Sequence, residues 1–353
     1  MKAVGEPRDG RPIGNRIAVV YSNRYQISFG GIERLHPFDI RKYEKIYEGL
    51  VRDELIRPAD VHVPAEISRE DLLRVHSETY LDRRLHSSRN LARYLEIEFL
   101  ALVPAGMIDG GILKPFRHAT GGTLLAAELA LKHGIGINLG GGYHHAEPDQ
   151  GGGFCIYADM PIAVRRLQSE GRVRRVLMID VDVHQGNGTA ACLADDPDVF
   201  TFDMYQRDIY PWPKKMNDLD VPLPRGVDDE AYLAKLEKYL PIIFDRAHPD
   251  IIFLQAGVDS LEGDPLADMR LTIDGIIRRD EMIVDAAIAH RVPIVITLGG
   301  GYGRDAWLAQ YRSISNLIRR YGSVAPTDTC PAYGTGPDEA VSGATDFVTD
   351  SGE

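Results

Sequence analysis

Short apolar runs rich in β-branched residues recur along the chain, and stretches of helical character lie between them. Residues 17–21, 136–139, 176–179, 199–202, 251–255 and 294–298 read as strands. Strands that alternate with helices imply an α/β chain built on a mostly parallel sheet. Three helices announce themselves by their ends. Ser68 stands three residues before Asp71, a shortened-acid capping box, and Leu72, Leu73 and Val75 follow. Asp228, Asp229 and Glu230 suit the positive end of a helix whose apolar stripe is Leu233, Leu236, Leu240 and Phe244, and His248-Pro249 ends it. A third helix covers Thr123 to Lys132 and closes at Gly134. No repeat or linker divides residues 16–322, so one domain is expected there. Residues 1–15 are polar and rich in Gly, Pro and Arg and read as a flexible lead-in, and residues 323–353 read as a loose acidic tail.

Composition narrows the setting more than the fold. The 353 residues are 44% hydrophobic and 26% charged, and no apolar run approaches the roughly 20 residues of a membrane span. The first residues lack the apolar core of a secretory signal. Cys155, Cys192 and Cys330 are odd in number and far apart, which fits neither a disulfide framework nor a thiolate cluster, so a reducing cytoplasm is expected. A formal charge of −12 disfavours direct nucleic-acid binding and mildly favours cationic substrates.

Chemistry gathers just after four of the expected strands, at residues 140–145, 180–188, 257–264 and 299–302. Ligands of open α/β sheets bind at the carboxyl ends of strands, so these segments can share one pocket although they are far apart in sequence. In Asp180-Val-Asp182-Val-His184, extended geometry puts both aspartates and the histidine on one face. Gathering such groups at the end of an apolar strand is favourable only if a cation or dense hydrogen bonding compensates them, the plainer alternative being a solvated Asp/His turn. Asp259 is the natural third ligand and Asp264 is less well placed. Alone, Asp259 could equally be a helix cap. The oxygen, nitrogen, oxygen set suits a catalytic zinc, and iron(II) would also fit. His144-His145 suggests proton transfer or ligation, although two surface histidines would look the same. Tyr302 could donate to an oxyanion or be an ordinary tyrosine at a core edge.

Together, Leu35-His36-Pro37-Phe38-Asp39, Gly140-Gly-Gly-Tyr-His-His145, residues 149–159 and 180–188, Ala256-Gly-Val-Asp259-Ser-Leu-Glu-Gly-Asp264 and residues 299–302 resemble the zinc-dependent histone deacetylase family. Within the arginase/deacetylase superfamily the resemblance is particularly to the class IV, histone deacetylase 11-like, branch, and it runs from about Tyr21 to Tyr321. It implies a single-domain, three-layer fold with helices on both faces of the sheet. It makes Asp182, His184 and Asp259 the ligands of one zinc, His145 the general base and acid, His144 its electrostatic partner and Tyr302 the oxyanion donor. Asp180 would orient His144. Asn187 would orient His145, where many relatives have an aspartate, and this leaves His145 without a paired carboxylate. Phe154 and Tyr210 would flank an acyl-lysine tunnel with the Gly153 carbonyl as acceptor. A K+ ion would lie at Asp180, Asp182, His184, Asp203 and Met204.

The implied partner is an acyl-lysine peptide or protein, and class IV resemblance points to long-chain acyl groups. An acetylpolyamine or other small acyl-amine amidohydrolase would show the same motifs. A two-manganese ureohydrolase would not, because Gly186 and Leu261 stand where further carboxylates are needed. A non-catalytic acyl-lysine binder would be expected to have lost a ligand or Tyr302, and all are present.

Overall fold

The computed structural model describes residues 16–27, 39, 41–322, 324, 325 and 327. Among these residues eight strands form one sheet: β1 (Arg16–Val20), β2 (Val61–His62), β3 (Gly134–Asn138), β4 (Val176–Asp180), β5 (Val199–Gln206), β6 (Leu219–Leu223), β7 (Ile251–Gln255) and β8 (Ile294–Thr297). Their order is β2-β1-β3-β8-β7-β4-β5-β6, and every neighbouring pair is parallel. Among the described residues ten α-helices accompany them: α1 (Lys42–Arg52), α2 (Arg69–Leu72), α3 (Ser88–Tyr94), α4 (Ala105–Ile108), α5 (Lys114–His133), α6 (Asp159–Ser169), α7 (Asn187–Leu193), α8 (Asp229–Ala247), α9 (Ile273–Ala289) and α10 (Ala306–Tyr321).

Strand periodicity makes the three layers. Ile17, Val19, Leu177, Ile179, Ile252, Leu254, Ile294 and Ile296 pack on the face covered by α1, α8, α9 and α10. Their alternates Val20, Val176, Met178, Ile251, Phe253 and Val295 pack beneath α5 and α6. Contact with α5 is close because Ala126, Ala127 and Ala130 face the sheet, and a Cβ on Gly136 would lie 2.0 Å from the Ala126 carbonyl oxygen. A third apolar cluster, built from residues between Ile67 and Phe116, packs against Ile156, Tyr157 and Ile162. Both sheet edges are blunted, β2 by its length of two residues and β6 by Pro222, which lacks a donor.

The expected strands all form, with ends shifted by a few residues, and β7 has the expected bounds. β2 and β6 are additional. The helix at Asp228 forms as read: the Asp228 carboxylate accepts from the Ala231 N–H at 3.0 Å, and His248 leaves the helix at φ 42°. Two helix expectations change. The helix after Ser68 is the single turn α2, because Leu73 and Val75 already lie in the following turn. α5 starts nine residues before Thr123, since close packing of Gly121 on the Ala65 backbone and of Gly122 on Tyr25 and Asn138 holds both in a helix despite their poor propensity. The lead-in of residues 1–15, the segment Leu35-His36-Pro37-Phe38, Cys330 and nearly all of the tail lie outside the described residues. Among the described residues no helix is long and apolar enough to cross a membrane.

The topology builds the site. After β3 the chain crosses to β4 and winds outward through β5 and β6, then returns to fill the gap with β7 and β8. Loops leaving β3, β8, β7 and β4 therefore emerge side by side at the carboxyl edge, where ligands bind in such folds. Register aligns Asn138, Thr297, Gln255, Asp180 and Asp203 across that edge, a polar row closing an apolar sheet.

Candidate active site

Asp180 is the last residue of β4, and the chain bends beyond it. Val181 and Val183 still turn into the core while Asp182 and His184 face the other way, so the expected alternation survives the bend. Asp259 arrives from the turn after β7. Asp182, His184 and Asp259 are all buried and each offers a ligand atom within 4.8 Å of the others. Backbone donors fix the carboxylates: Val183 N–H on Asp259 Oδ1 at 2.8 Å, His184 N–H on Asp182 Oδ1 at 3.0 Å and Gly300 N–H on Asp182 Oδ2 at 3.0 Å. Gly300 is required there, because a Cβ would lie 2.2 Å from Asp259 Oδ2 and 2.5 Å from Asp182 Oδ2.

These groups demand a positive charge. His184 Nδ1 lies 3.0 Å from Asp259 Oδ2 and 3.3 Å from Asp182 Oδ1. Burial alone would lower the His184 pKa, but the two aspartates outweigh it and raise it to about 10. Burial, then the neighbouring Asp182 charge, pushes Asp259 up to about 7. A divalent cation on the same donors would supply that positive charge. The donor chemistry fits zinc or iron(II). Asp264 is not a member. Its Oδ2 accepts instead from the Tyr302 and Gly303 N–H groups at 2.7 and 3.0 Å, anchoring the tyrosine loop.

Beside the cluster, the His144 and His145 rings are 4.0 Å apart. His144 Nδ1 meets Asp180 Oδ2 at 2.8 Å, and His145 Nδ1 meets Asn187 Oδ1 at 2.7 Å. Burial opposes charging of His144, yet Asp180 and then Asp182 raise its pKa to about 9. Burial, then the charges of His144 and His184, drives His145 well below its ordinary value. Among the described residues no carboxylate hydrogen-bonds to His145, but one stands a residue away: Asn187 Nδ2 donates to Glu147 Oε1 at 2.9 Å.

The aromatic residues converge. Tyr302 is 6.2 Å from the His184 ring and 5.6 Å from Phe154, which holds φ 67°, a conformation unusual for a bulky residue. Tyr210, 40% exposed, sets its ring 4.9 Å from His145 and 6.4 Å from His184. A cavity of about 880 Å3, open mouth included, is walled by Gly153, Phe154, Tyr302 and His144 and runs on past Tyr25, Ile27, Tyr43, Leu95, Ile97, Phe99 and Phe116. Gly153 takes its carbonyl 3.3 Å from Cys155 Sγ. On the other side of Asp180, Asp203 accepts from Gly186 N–H at 2.8 Å through Oδ2, while its buried Oδ1 has no hydrogen-bond partner. Met204 is buried beside it.

Comparison with known proteins decides the family. A model described as "Histone deacetylase domain" matches residues 36–317, which include every site position from His144 to Tyr302. The chain belongs to the histone deacetylase domain family. It is 39% identical over 309 residues to "Histone deacetylase 2" of Arabidopsis thaliana, covering 87% of this chain and 80% of that protein. It is 27% identical over 322 residues to "Acetoin utilization protein AcuC" of Staphylococcus aureus, covering 86% and 81%. Its fold matches the crystal structure of the HDA15 HD domain with a TM-score of 0.70 at 22% identity, over 86% of this chain and 91% of that one.

Within this histone deacetylase domain two buried cations escape sequence reasoning. Lys42 donates to the Gly299 and Gly300 carbonyls at 2.7 and 3.2 Å, and burial lowers its pKa to about 8. Arg279 donates to the Gly257 and Val181 carbonyls at 2.7 and 3.1 Å, clamping the backbone next to Asp259 and Asp182. Lys42 opens α1 three residues after Asp39 and Arg279 lies inside α9, positions where a charged residue ordinarily reads as solvated. Nothing in the sequence marks them.

Proposed function

We propose that this histone deacetylase family member hydrolyses the amide bond of N-ε-acyl-lysine, with Asp182, His184 and Asp259 holding one zinc ion. The observation that carries this reading is the buried three-group metal pocket beside an imidazole pair at the carboxyl ends of four adjacent strands. Zinc, when bound, would polarise the scissile carbonyl and lower the pKa of its water. The chain's own residues do the rest. His145 takes the proton of the attacking water at Nε2, with Asn187 holding Nδ1, and returns it to the departing amine. His144, tied to Asp180, balances charge beside it. Tyr302 donates its hydroxyl to the developing oxyanion, and burial raises its pKa well above the ordinary value, so the proton stays in place. Phe154 and Tyr210 flank the lysine stem, and the Gly153 carbonyl accepts the substrate N–H.

Long acyl chains are the favoured substrates in this reading, supported by the class IV resemblance and by the largely aromatic and aliphatic wall of the cavity beyond Phe154. Potassium would occupy the oxygens of Asp180, Asp182, His184, Asp203 and Met204, and the unpartnered Asp203 Oδ1 supports that placement. The free thiols of Cys155 and Cys192 suit a reducing, cytoplasmic setting.

One panel tests the reading: acetyl-lysine and myristoyl-lysine peptides and acetylspermidine, each with and without chelator, together with zinc analysis of wild type and Asp259→Ala. Chelator-sensitive hydrolysis, fastest on the myristoyl peptide, is expected, with stoichiometric zinc lost in D259A. A far faster acetyl reaction rejects the chain-length assignment, and preferred turnover of acetylspermidine moves the substrate to small amines. Zinc-loaded protein that cleaves none of them is a binder.

A further inference from the structure

We propose that Glu147 sets the tautomer of His145 by fixing which way the Asn187 amide faces. The inference rests on the reading of His145 as the base, and it makes Glu147 a positioning residue. An asparagine can present either its oxygen or its nitrogen to a histidine. With the oxygen toward Nδ1, that nitrogen carries the hydrogen and Nε2 keeps the lone pair a base needs. With the nitrogen toward Nδ1, the assignment reverses and Nε2 is blocked. Asparagine alone therefore leaves the base undefined, whereas an aspartate, which only accepts, would not.

Glu147 removes the ambiguity. Its Oε1 lies 2.9 Å from Asn187 Nδ2, while Asn187 Oδ1 is 2.7 Å from His145 Nδ1. A flipped amide would bring its oxygen against the carboxylate, losing a charge-assisted hydrogen bond and adding repulsion, which disfavours that state by about tenfold or more. Glu147 is itself held for the task. Its N–H donates to the Gln150 carbonyl at 2.8 Å, its side chain is 17% exposed, and Lys215 Nζ lies 3.8 Å from Oε2. The rest of the His145 ring is left to the site: among the described residues no hydrogen bond engages Nε2, and a Cβ on Gly153 would lie 2.3 Å from Cδ2.

The test is a double-mutant cycle of Glu147→Ala and Asn187→Asp, read by steady-state kinetics and by 15N NMR of ring-labelled histidine on the full chain. In the wild-type background E147A should lower kcat about tenfold or more with KM nearly unchanged, and the His145 resonances should pass from one Nδ1–H form to a mixture. In the N187D background, where both oxygens at position 187 only accept, E147A should cost less than about twofold and leave the tautomer alone. Equal losses in both backgrounds with an unchanged tautomer overturn the proposal and make Glu147 a loop anchor. Should E147A fail to fold, Glu147→Gln replaces it. That amide can meet Asn187 with either end, so the second tautomer should appear, and a wild-type spectrum overturns the proposal. If the wild-type protein cleaves no acyl-lysine, the functional reading fails while the NMR arm still decides this one.

Discussion

At the scale of single residues, the site separates chemically identical side chains by what they touch. His144 and His145 are neighbours in sequence and in space, yet a carboxylate holds one Nδ1 and an amide the other. One imidazole is pulled toward the charged state and the other toward the neutral, the split expected of an electrostatic partner beside a base. Tyr302 poses the sharper question, because a buried tyrosine near a metal pocket can be a donor or mere packing. Asp264 argues for the donor: a carboxylate that accepts from both the Tyr302 and Gly303 N–H groups fixes the backbone of that residue, more than packing requires. Removal of the hydroxyl in Tyr302→Phe is expected to lower kcat about hundredfold or more while stoichiometric zinc is retained. Steady-state rates alongside metal analysis check it, and a near-wild-type rate with zinc bound rules Tyr302 out.

At the scale of strands and loops, Asp182, His184 and Asp259 are placed by glycine turns that let neighbouring loops touch. Gly300, just past β8, lends its N–H to Asp182 and leaves no room for a methyl beside either carboxylate. Gly300→Ala should therefore keep the fold and weaken zinc by about tenfold or more, as measured by chelator competition with circular dichroism as control. Affinity equal to wild type would mean the carboxylates can part freely. The same geometry explains what could be read in advance. Buried central strands must be apolar throughout and the turns after them must be tight, so the runs ending near residues 138, 180, 255 and 297 and their glycine-rich sequels were legible. Edge strands carry no such mark: β2 has two residues, and β6 mixes Asp220 and Pro222 into its apolar positions. Gly121-Gly122 hid the first half of α5, which only tertiary packing reveals. Lys42 and Arg279 act on backbone carbonyls brought close by the fold, and no local pattern encodes that.

At the scale of the whole molecule, the apolar cluster between Ile67 and Phe116 holds residues 147–158 over the site, and His76 is a pin between the two. Its Nδ1 meets the Pro148 carbonyl at 3.2 Å and its Nε2 accepts from the Ala158 N–H at 3.0 Å, so Nδ1 donates and the ring is neutral. Protonation would break the Ala158 bond. Burial accordingly lowers the His76 pKa from 6.5 to about 4. Because the folded value is the lower one, the unfolded chain takes up the proton first as pH falls, and stability drains away between pH 6.5 and 4 while remaining whole above that window. Between pH 7.5 and 5 this one group should remove about 2 kcal/mol. Other histidines add their own slopes, so the measurement is a difference: urea unfolding of wild type and His76→Gln at both pH values. Glutamine can donate to Pro148 and accept from Ala158 without titrating, so the mutant should lose about 2 kcal/mol less than wild type on acidification. Equal losses in the two proteins would show that the ring titrates alike in the folded and unfolded chains, and that the span bearing Gly153 and Phe154 is held by its other contacts, among them the Phe154 N–H on the Tyr94 carbonyl at 3.0 Å and the Tyr80 hydroxyl on the Ile156 carbonyl at 2.7 Å.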